Sequence, residues 1–500
     1  MRAERIIKIA LIVIVPVVLG VYFASKVTRF QHQGYMSDLF SHLEIARGWL
    51  QGRPLLHENR YGFHGTLHNY FLDLVVGPFT LLWGVYGLFL VQILLYALSF
   101  FYSLSTLTRK DTSPYFVNTV LFYLVFFVGP LAYYVYDDPH YGFHAEMLYV
   151  PLGLIFAVAL ARRDLWISAS SGLAIALIKE DGAVVAACIH MLYGVTTWLS
   201  GERNSTQWLR YSLSRLFLWL LVFVAGMWWL GEQNVGGASR LDFVLGVAAS
   251  QTLPDLLSYL IRVFFHFGML IAPMLIGLLW FRHFRLNLAI GVLLLPIVSV
   301  GVISGFGYFP QISFSLNWVP RFSLVMSFLL AGIFFVILSN PKPWVGKPLQ
   351  VSLSLIIGFS LFKGQTLLLK EDMNHNWRRR AISILREVDP ASFRADYAQL
   401  KKLAEVLPDD YPIAPPFENF GYFHKADIIW MDFVPNAFRK PRMIVCNKDT
   451  RSSLPSLVFM QSPESLTVDD LWIYFEKEDG VYLERAGIKV ADASSVDHPQ

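Results

Sequence analysis

The ten residues Asp137-Asp138-Pro139-His140-Tyr141-Gly142-Phe143-His144-Ala145-Glu146 carry five ionisable side chains and lie between two apolar runs. Asp138, His140, His144 and Glu146 offer donors suited to a divalent cation or to orienting a hydroxyl acceptor. Carboxylates favour Mg²⁺ or Mn²⁺, and imidazoles favour Zn²⁺ or Mn²⁺. The spacing matches no zinc motif of the H-E-x-x-H kind. A water-satisfied interface turn is the plainer reading, but it needs fewer charges than this one holds. A second polar knot, Lys179-Glu180-Asp181, closes the short apolar run Leu173–Ile178. It reads either as an internal ion pair at the membrane edge or as part of the same site. Ionisable groups at membrane depth cost roughly 2.5–3.5 kcal/mol each on insertion scales, so function is their default reading.

Asp38 lies a short way past the first apolar run. Ser41-x-x-Glu44 has the form of a capping box, and Leu39, Leu43, Ala46 and Leu50 recur at helical spacing until Gly52-Arg53-Pro54 stops them. This predicts an amphipathic helix on the membrane surface with Asp38 at or before its start. Asp38 is then a capping acid, or a general base where a lipid-linked substrate meets an external acceptor. His64 and His68 are four apart, but Gly62 and Gly65 favour a loop over a shared helical face, and a metal role is the lesser reading. The words Tyr-Gly-Phe-His at 61–64 return at 141–144 with no physical meaning visible in the sequence. Arg321, after Trp318-Val319-Pro320, is either an interface anchor or a bidentate phosphate ligand.

The elements that must carry these groups are membrane helices. Hydrophobic residues make up 55% of the 500 positions and charged residues only 16%, well below the soluble norm of about 25%. Net charge is +4 with no basic block, which gives nucleic acid no foothold. About eleven spans are expected, near 7–25, 85–107, 115–135, 146–161, 165–178, 183–199, 212–230, 259–281, 287–305, 320–338 and 350–368. The first is read as an uncleaved helix rather than a signal peptide, for no A-x-A site follows it. Arg2, Arg5, Lys8, Arg109, Lys110, Arg162, Arg163, Arg203, Arg210, Arg215, Arg282, Arg285, Lys342 and Lys347 all then fall on the N-terminal side. The positive-inside rule makes that side cytoplasmic. The loop 26–84, the turn 137–146, residues 179–181 and the tail are external, which in a bacterium means facing out of the inner (plasma) membrane.

Residues 1–369 form the expected membrane domain, and 370–500 a small extracytoplasmic α/β domain. In the latter, Ser392 to Val406 reads as a helix with a stripe of Phe393, Tyr397, Leu400 and Leu403. Asp427–Met431, Met443–Cys446, Leu457–Met460 and Leu471–Phe475 read as strands. Cys188 in an apolar run and Cys446 in the tail are not expected to pair. There is no P-loop and no G-x-S-x-G, so nucleotide-driven transport and serine hydrolysis have no support.

The chain resembles the DUF2079 group of predicted membrane proteins, which is related to the GT-C glycosyltransferases. The resemblance rests on Ser37-Asp38-Leu39 with Gly52-Arg53-Pro54, on Gly62-Phe63-His64-Gly65-Thr66-Leu67-His68, on His140-Tyr141-Gly142-Phe143-His144-Ala145-Glu146 and on Lys179-Glu180-Asp181. It covers most of the chain, the tail least well. It implies an α-helical polytopic GT-C-like fold and inverting sugar transfer from a polyprenyl-phosphate donor to a glycan, lipid or protein acceptor. Asp38 matches the family's acid in the first external loop. If the chain is such a transferase, the leaving phosphate needs positive charge, and Arg321, Lys179, His140, His64 and His68 are the residues expected to meet the substrate or its phosphate. Asp138, His144, Glu146, Glu180 and Asp181 would orient the acceptor or hold a divalent metal (Mg²⁺ or Mn²⁺), the one cofactor expected. The chain departs from the family at Asn317-Trp318-Val319-Pro320-Arg321, where a histidine–tyrosine pair is expected. The rival readings are an ion-coupled carrier, which would show repeats around a mid-membrane site, and a non-catalytic envelope protein with a binding domain.

Overall fold

The structure, a computed structural model, describes residues 2–31, 35, 38–66, 68–107, 120–124, 142–199, 205–233, 254, 319–339, 354, 398–416, 419–430, 437–446, 460, 463–468, 471–490 and 494–495. Apolar helices dominate the first part: α1 (Arg2–Gln31), α2 (Asp38–Gly48), α3 (Phe71–Trp83), α4 (Val85–Leu107), α5 (Tyr149–Arg162), α6 (Leu165–Ala176), α7 (Gly182–Leu199), α8 (Ser205–Gln233) and α9 (Val319–Ser339). Among the described residues four stretches are long and apolar enough to cross a membrane, Ile9–Gln31, Val85–Leu107, Ala145–Arg162 and Leu209–Trp229. This is a multi-pass membrane protein. The expected spans 259–281, 287–305 and 350–368, and all of 115–135 except 120–124, lie outside the described residues.

Burial sorts these helices. Along α5, Tyr149 through Leu160 are all buried, as befits a helix apolar on every side. On α1 and α8, Val13, Val17, Phe217 and Val224 are more than half exposed, the mark of a face turned to lipid.

Two expectations for the first external loop need correction. The amphipathic surface helix is present as α2, but every residue from Leu39 to Gly48 is buried. Ser41 and Glu44 are no capping box, since α2 begins at Asp38 itself. Their side chains face inward to other partners: Ser41 Oγ donates to Glu58 at 3.3 Å, and the Asn59 N–H donates to Glu44 at 2.7 Å. The second correction is α3, an apolar helix inside what the sequence presented as loop. Asp73, Gly77 and Pro78 break its apolar run, and 13 residues reach only about 20 Å.

Gly77 lets α3 lie directly on α2, for a Cβ there would be driven into the Ala46 carbonyl and the Trp49 ring. Gly77→Ala is therefore expected to lower stability by about 1–3 kcal/mol through overpacking and to shift the helix bearing Asp38. A thermal midpoint with an activity assay checks both.

Strands β1 (His57–Glu58) and β2 (Gly62–Phe63) pair antiparallel after α2, and the tail forms a six-stranded sheet. Its strands are β3 (Pro412–Ala414), β4 (Asp427–Ile428), β5 (Met443–Cys446), β6 (Pro463–Val468), β7 (Leu471–Glu476) and β8 (Ser494–Ser495), in the order β4-β3-β5-β7-β6-β8. Strands β4, β3 and β5 are parallel, and β7, β6 and β8 join antiparallel. Ile444 pairs with Tyr474. Strand periodicity splits β5 between two cores: Met443 and Val445 enter the main one, Ile444 and Cys446 the other. Helix α10 (Ala398–Val406) turns Leu400 and Leu403 inward, as the sequence stripe predicted. Residues 392–397 and 457–459 of the predicted elements lie outside the described set, and Met460 is not in a strand. Cys188 and Cys446 are both buried and form no disulfide with each other.

The sheet is seated on α2 and the loop after it through buried polar groups. Arg53 meets Asp427 at 2.8 Å with both side chains inaccessible to solvent. Asn59 donates to Asp427 and to the Ile428 carbonyl, each at 2.7 Å, and Arg47 donates to the His424 and Ala426 carbonyls. Glu44 lies in the same layer. Burial does most to push its carboxyl up from 4.5 to about 8; Arg53 opposes this, while Glu58 and Asp427 reinforce it. A raised folded value means proton uptake on folding. Glu44 thus contributes stability below about 4.5 that is lost as pH rises through about 8. Glu44→Gln should flatten that fall, which a thermal-midpoint profile from pH 5 to 9 would reveal.

Candidate active site

Four imidazoles surround the ring of Tyr70, at centroid distances of 4.8 Å (His42), 5.3 Å (His64), 5.1 Å (His68) and 5.9 Å (His144). Each faces its own carboxylate. His42 meets Asp73 at 2.6 Å, His64 meets Glu58 at 3.4 Å and His68 meets Glu180 at 3.0 Å, while His144 lies against Glu146. Lys179 reaches the other oxygen of Glu146 at 2.8 Å, and the Tyr149 hydroxyl donates to Asp181. These carboxylates are all buried, so the pairing neutralises charge that would otherwise be expensive to hold there.

The helix ends build this arrangement. His144 and Glu146 lie at the 3₁₀ turn Ala145–Leu148 that opens α5, and Lys179 to Asp181 occupy the turn between α6 and α7. His42 is on α2 and Asp73 in the first turn of α3. The repeated Tyr-Gly-Phe-His acquires a structural counterpart. Gly62 and Gly142 both take positive φ, +76° and +67°, where glycine is the natural residue, and each word delivers its histidine to Tyr70. A Cβ on Gly142 would strike the Tyr35 ring.

Asp38 stands one helical turn before His42 on α2, where negative charge suits the helix dipole. Its carboxylate is 38% exposed, unlike the sealed acids behind it, and meets Arg60 at 3.3 Å. The Arg60 guanidinium lies between the rings of Tyr61 and Trp430, 4.7 and 4.9 Å from their centroids, so the tail contributes directly beside Asp38. Behind Asp38, burial pulls the His42 imidazole down, but the adjoining Asp73 charge and hydrogen bond outweigh it, with Glu146 and Asp38 adding. His42 is held above its ordinary value. In the 179–181 turn, burial lifts Asp181 to about 6, against the pull of Lys179.

Of the residues singled out from sequence, Asp38, His64, His68, His144, Glu146, Lys179, Glu180 and Asp181 come together at one end of the bundle. Asp138 and His140 lie outside the described residues. Arg321 falls in the first turn of α9, and its side chain is likewise outside the described set. That turn is at the same end, because a Cβ on Gly153 near the start of α5 would meet Ser327, while Phe335 farther along α9 reaches Tyr193. Sequence reasoning missed His42, Glu58, Arg60, Tyr70 and Asp73. Their signal, polar residues inside an otherwise apolar helix or beside a histidine pair, was present but ordinary.

No three His, Cys, Asp or Glu among the described residues form a group able to hold a metal ion. Each imidazole is engaged by its own acid, so these donors do not fit a divalent metal as they stand.

No family model matches the chain, and no curated protein matches it by sequence. Among solved structures, ArnT from Cupriavidus metallidurans, bound to undecaprenyl phosphate, matches with a TM-score of 0.50 at 14% identity, over 93% of this chain and 97% of that chain. The likeness is one of fold, and it supports the helical membrane architecture expected from the sequence. The more particular DUF2079 resemblance stays one of motifs.

Proposed function

We propose that this protein is a GT-C-type glycosyltransferase of the inner membrane. It transfers a sugar, with inversion, from a polyprenyl-phosphate donor to a glycan, lipid or protein acceptor on the external face. The N-terminus would be cytoplasmic and the tail domain external. The observation that carries this reading is Asp38, the accessible carboxylate in front of a set of buried, paired ones. The shared fold of a protein crystallised with undecaprenyl phosphate supports the donor class.

In this mechanism Asp38 takes the acceptor's hydroxyl proton as the oxygen bonds to the anomeric carbon. The bond from that carbon to the phosphate oxygen breaks, and its electron pair leaves with the polyprenyl phosphate. Arg60 beside Asp38 and Arg321 at the start of α9 are the cations for the developing phosphate charge. Lys179, His68, Glu146, Glu180 and Asp181 hold the floor of the site in register. No step runs through a metal. The DUF2079 resemblance belongs to the same proposal.

The test supplies proteoliposomes of the full chain with a panel of polyprenyl-phosphate sugars and an envelope extract as acceptor. Release of polyprenyl phosphate together with a newly glycosylated product supports the proposal. Donor left intact across the panel, with a solute moved across the bilayer instead, would sink it in favour of a carrier.

A further inference from the structure

Helix α1 is buried along one stripe, Val15, Leu19, Lys26 and Phe30, and Phe30 packs against Tyr86 and Phe89 of α4. Three of the four are apolar, as suits a helix that turns most of its surface to lipid. The fourth is a fully buried lysine, inside the stretch Ile9–Gln31 that is apolar enough to cross a membrane. Lysines near the ends of such helices ordinarily run their stems outward and leave the ammonium in water. Lys26 turns inward, and the transfer mechanism does not use it.

The ammonium of Lys26 holds backbone. It donates to the Gly142 carbonyl, 116 residues away in the chain, and lies 5.4 Å from the centroid of the Phe89 ring. The Tyr35 ring also lies against Gly142 and meets Phe89 edge-on at 5.7 Å. A glycine has no side chain by which a neighbour can grip it, so its carbonyl is the handle, and a long cationic donor from α1 reaches it. A methionine or leucine in the stripe would hold α1 on α4 without the cost of burying an ammonium. That cost points to a purpose other than stability.

Gly142 is where the chain enters the site. The next two residues bring their rings to His42, Phe143 edge-on at 5.7 Å and His144 at 4.6 Å. Glu146 follows, held by His144 and Lys179. His42 in turn stands one helical turn after Asp38 on α2. A shift at Gly142 is therefore passed to the surface behind Asp38.

We infer that Lys26 is a positioning residue of the active site. By holding the Gly142 carbonyl it sets the entry of the chain into His144 and Glu146, and with it the surface against which the acceptor is oriented for Asp38. The clamp stands on the contacts alone, and its consequence for the acceptor rests on the transferase reading.

Lys26→Met keeps the length of the side chain and suits an apolar stripe. Lys26→Leu suits it with a different shape, so a packing defect peculiar to one variant would not recur in the other. Two quantities are read on the full-length protein in proteoliposomes. Hydrogen–deuterium exchange of residues 142–148 tests the clamp without any substrate. The ratio of glycosylated product to polyprenyl phosphate released, with envelope extract and a donor that the wild type consumes, tests the positioning. This ratio is independent of the fraction of molecules that are folded, and it falls when water replaces a misoriented acceptor hydroxyl at the anomeric carbon. Both variants should exchange residues 142–148 about tenfold faster, as loss of one charge-assisted hydrogen bond allows. Both should also lower the ratio by about tenfold. Unchanged exchange would overturn the clamp, and faster exchange with an unchanged ratio would overturn the positioning role. Exchange raised over the whole chain would make Lys26 a stability residue and overturn the inference as well. A wild type that leaves every donor intact would instead sink the transferase reading, whatever the variants show, and take the positioning role with it.

Discussion

Asp38→Asn should lower sugar transfer by about 10²–10⁴-fold, the range that a positioned general base contributes. Asparagine keeps the size and polarity at the start of α2 but cannot accept the acceptor's proton. The sealed carboxylates behind it cannot replace it. Glu58 is engaged by Ser41 and His64, Glu180 by His68, and Glu146 by both His144 and Lys179. The loss should fall on kcat, with little change in KM for the lipid donor, because the proton moves only in the transition state. Steady-state kinetics with the purified donor separates the two. A loss confined to KM would make Asp38 a donor-binding residue.

The second large effect is structural. Arg53 and Asp427 are 374 residues apart in the chain and touch at 2.8 Å out of reach of solvent. Glu44 also faces Arg53, but with its carboxyl near 8 it is mostly neutral at pH 7, leaving Asp427 as the counter-charge. Asp427→Ala should therefore destabilise the protein by about 3–5 kcal/mol, the range for orphaning one partner of a buried pair. It also strips Asn59 of an acceptor. Because the sheet is seated on α2 here, the same change should speed proteolytic release of the tail and reduce activity through Arg60 and Trp430. The double change Arg53→Met with Asp427→Leu should recover much of the stability, since apolar pairs replace buried ion pairs without penalty. Thermal midpoints and timed digestion would read these outcomes, and an unchanged midpoint in Asp427→Ala would remove the pair from the account.

Much of the architecture was legible where one local signal was enough. The run Val85–Leu107 is helical over the range its apolar residues marked, and β5 falls on Met443–Cys446. The gathering of Asp38, Glu146 and Lys179 at one end followed from the placement of arginines and lysines. Less was legible where the partner is distant. Ser41 and Glu44 have capping-box spacing, yet their true partners, Glu58 and Asn59, lie beyond a chain reversal that no local pattern specifies. His42 carries no local signal of a role, because its partner Asp73 sits on a helix hidden by Gly77 and Pro78. Strand β3 is three residues bounded by prolines, and β6 begins with one and carries Glu464 and Ser465, so neither reads as a strand by composition. The burial of α2 was out of reach for the same reason, because the tail that covers it follows more than 350 residues later.

The most direct measurement compares wild type with Asp38→Asn in proteoliposomes holding a polyprenyl-phosphate sugar that the wild type consumes, and follows free polyprenyl phosphate and the product's anomeric configuration. Inverted product from the wild type, with release by the variant down by two orders of magnitude or more, is the predicted result. Equal release by the two proteins, or a product of retained configuration, would contradict direct displacement with Asp38 as the base.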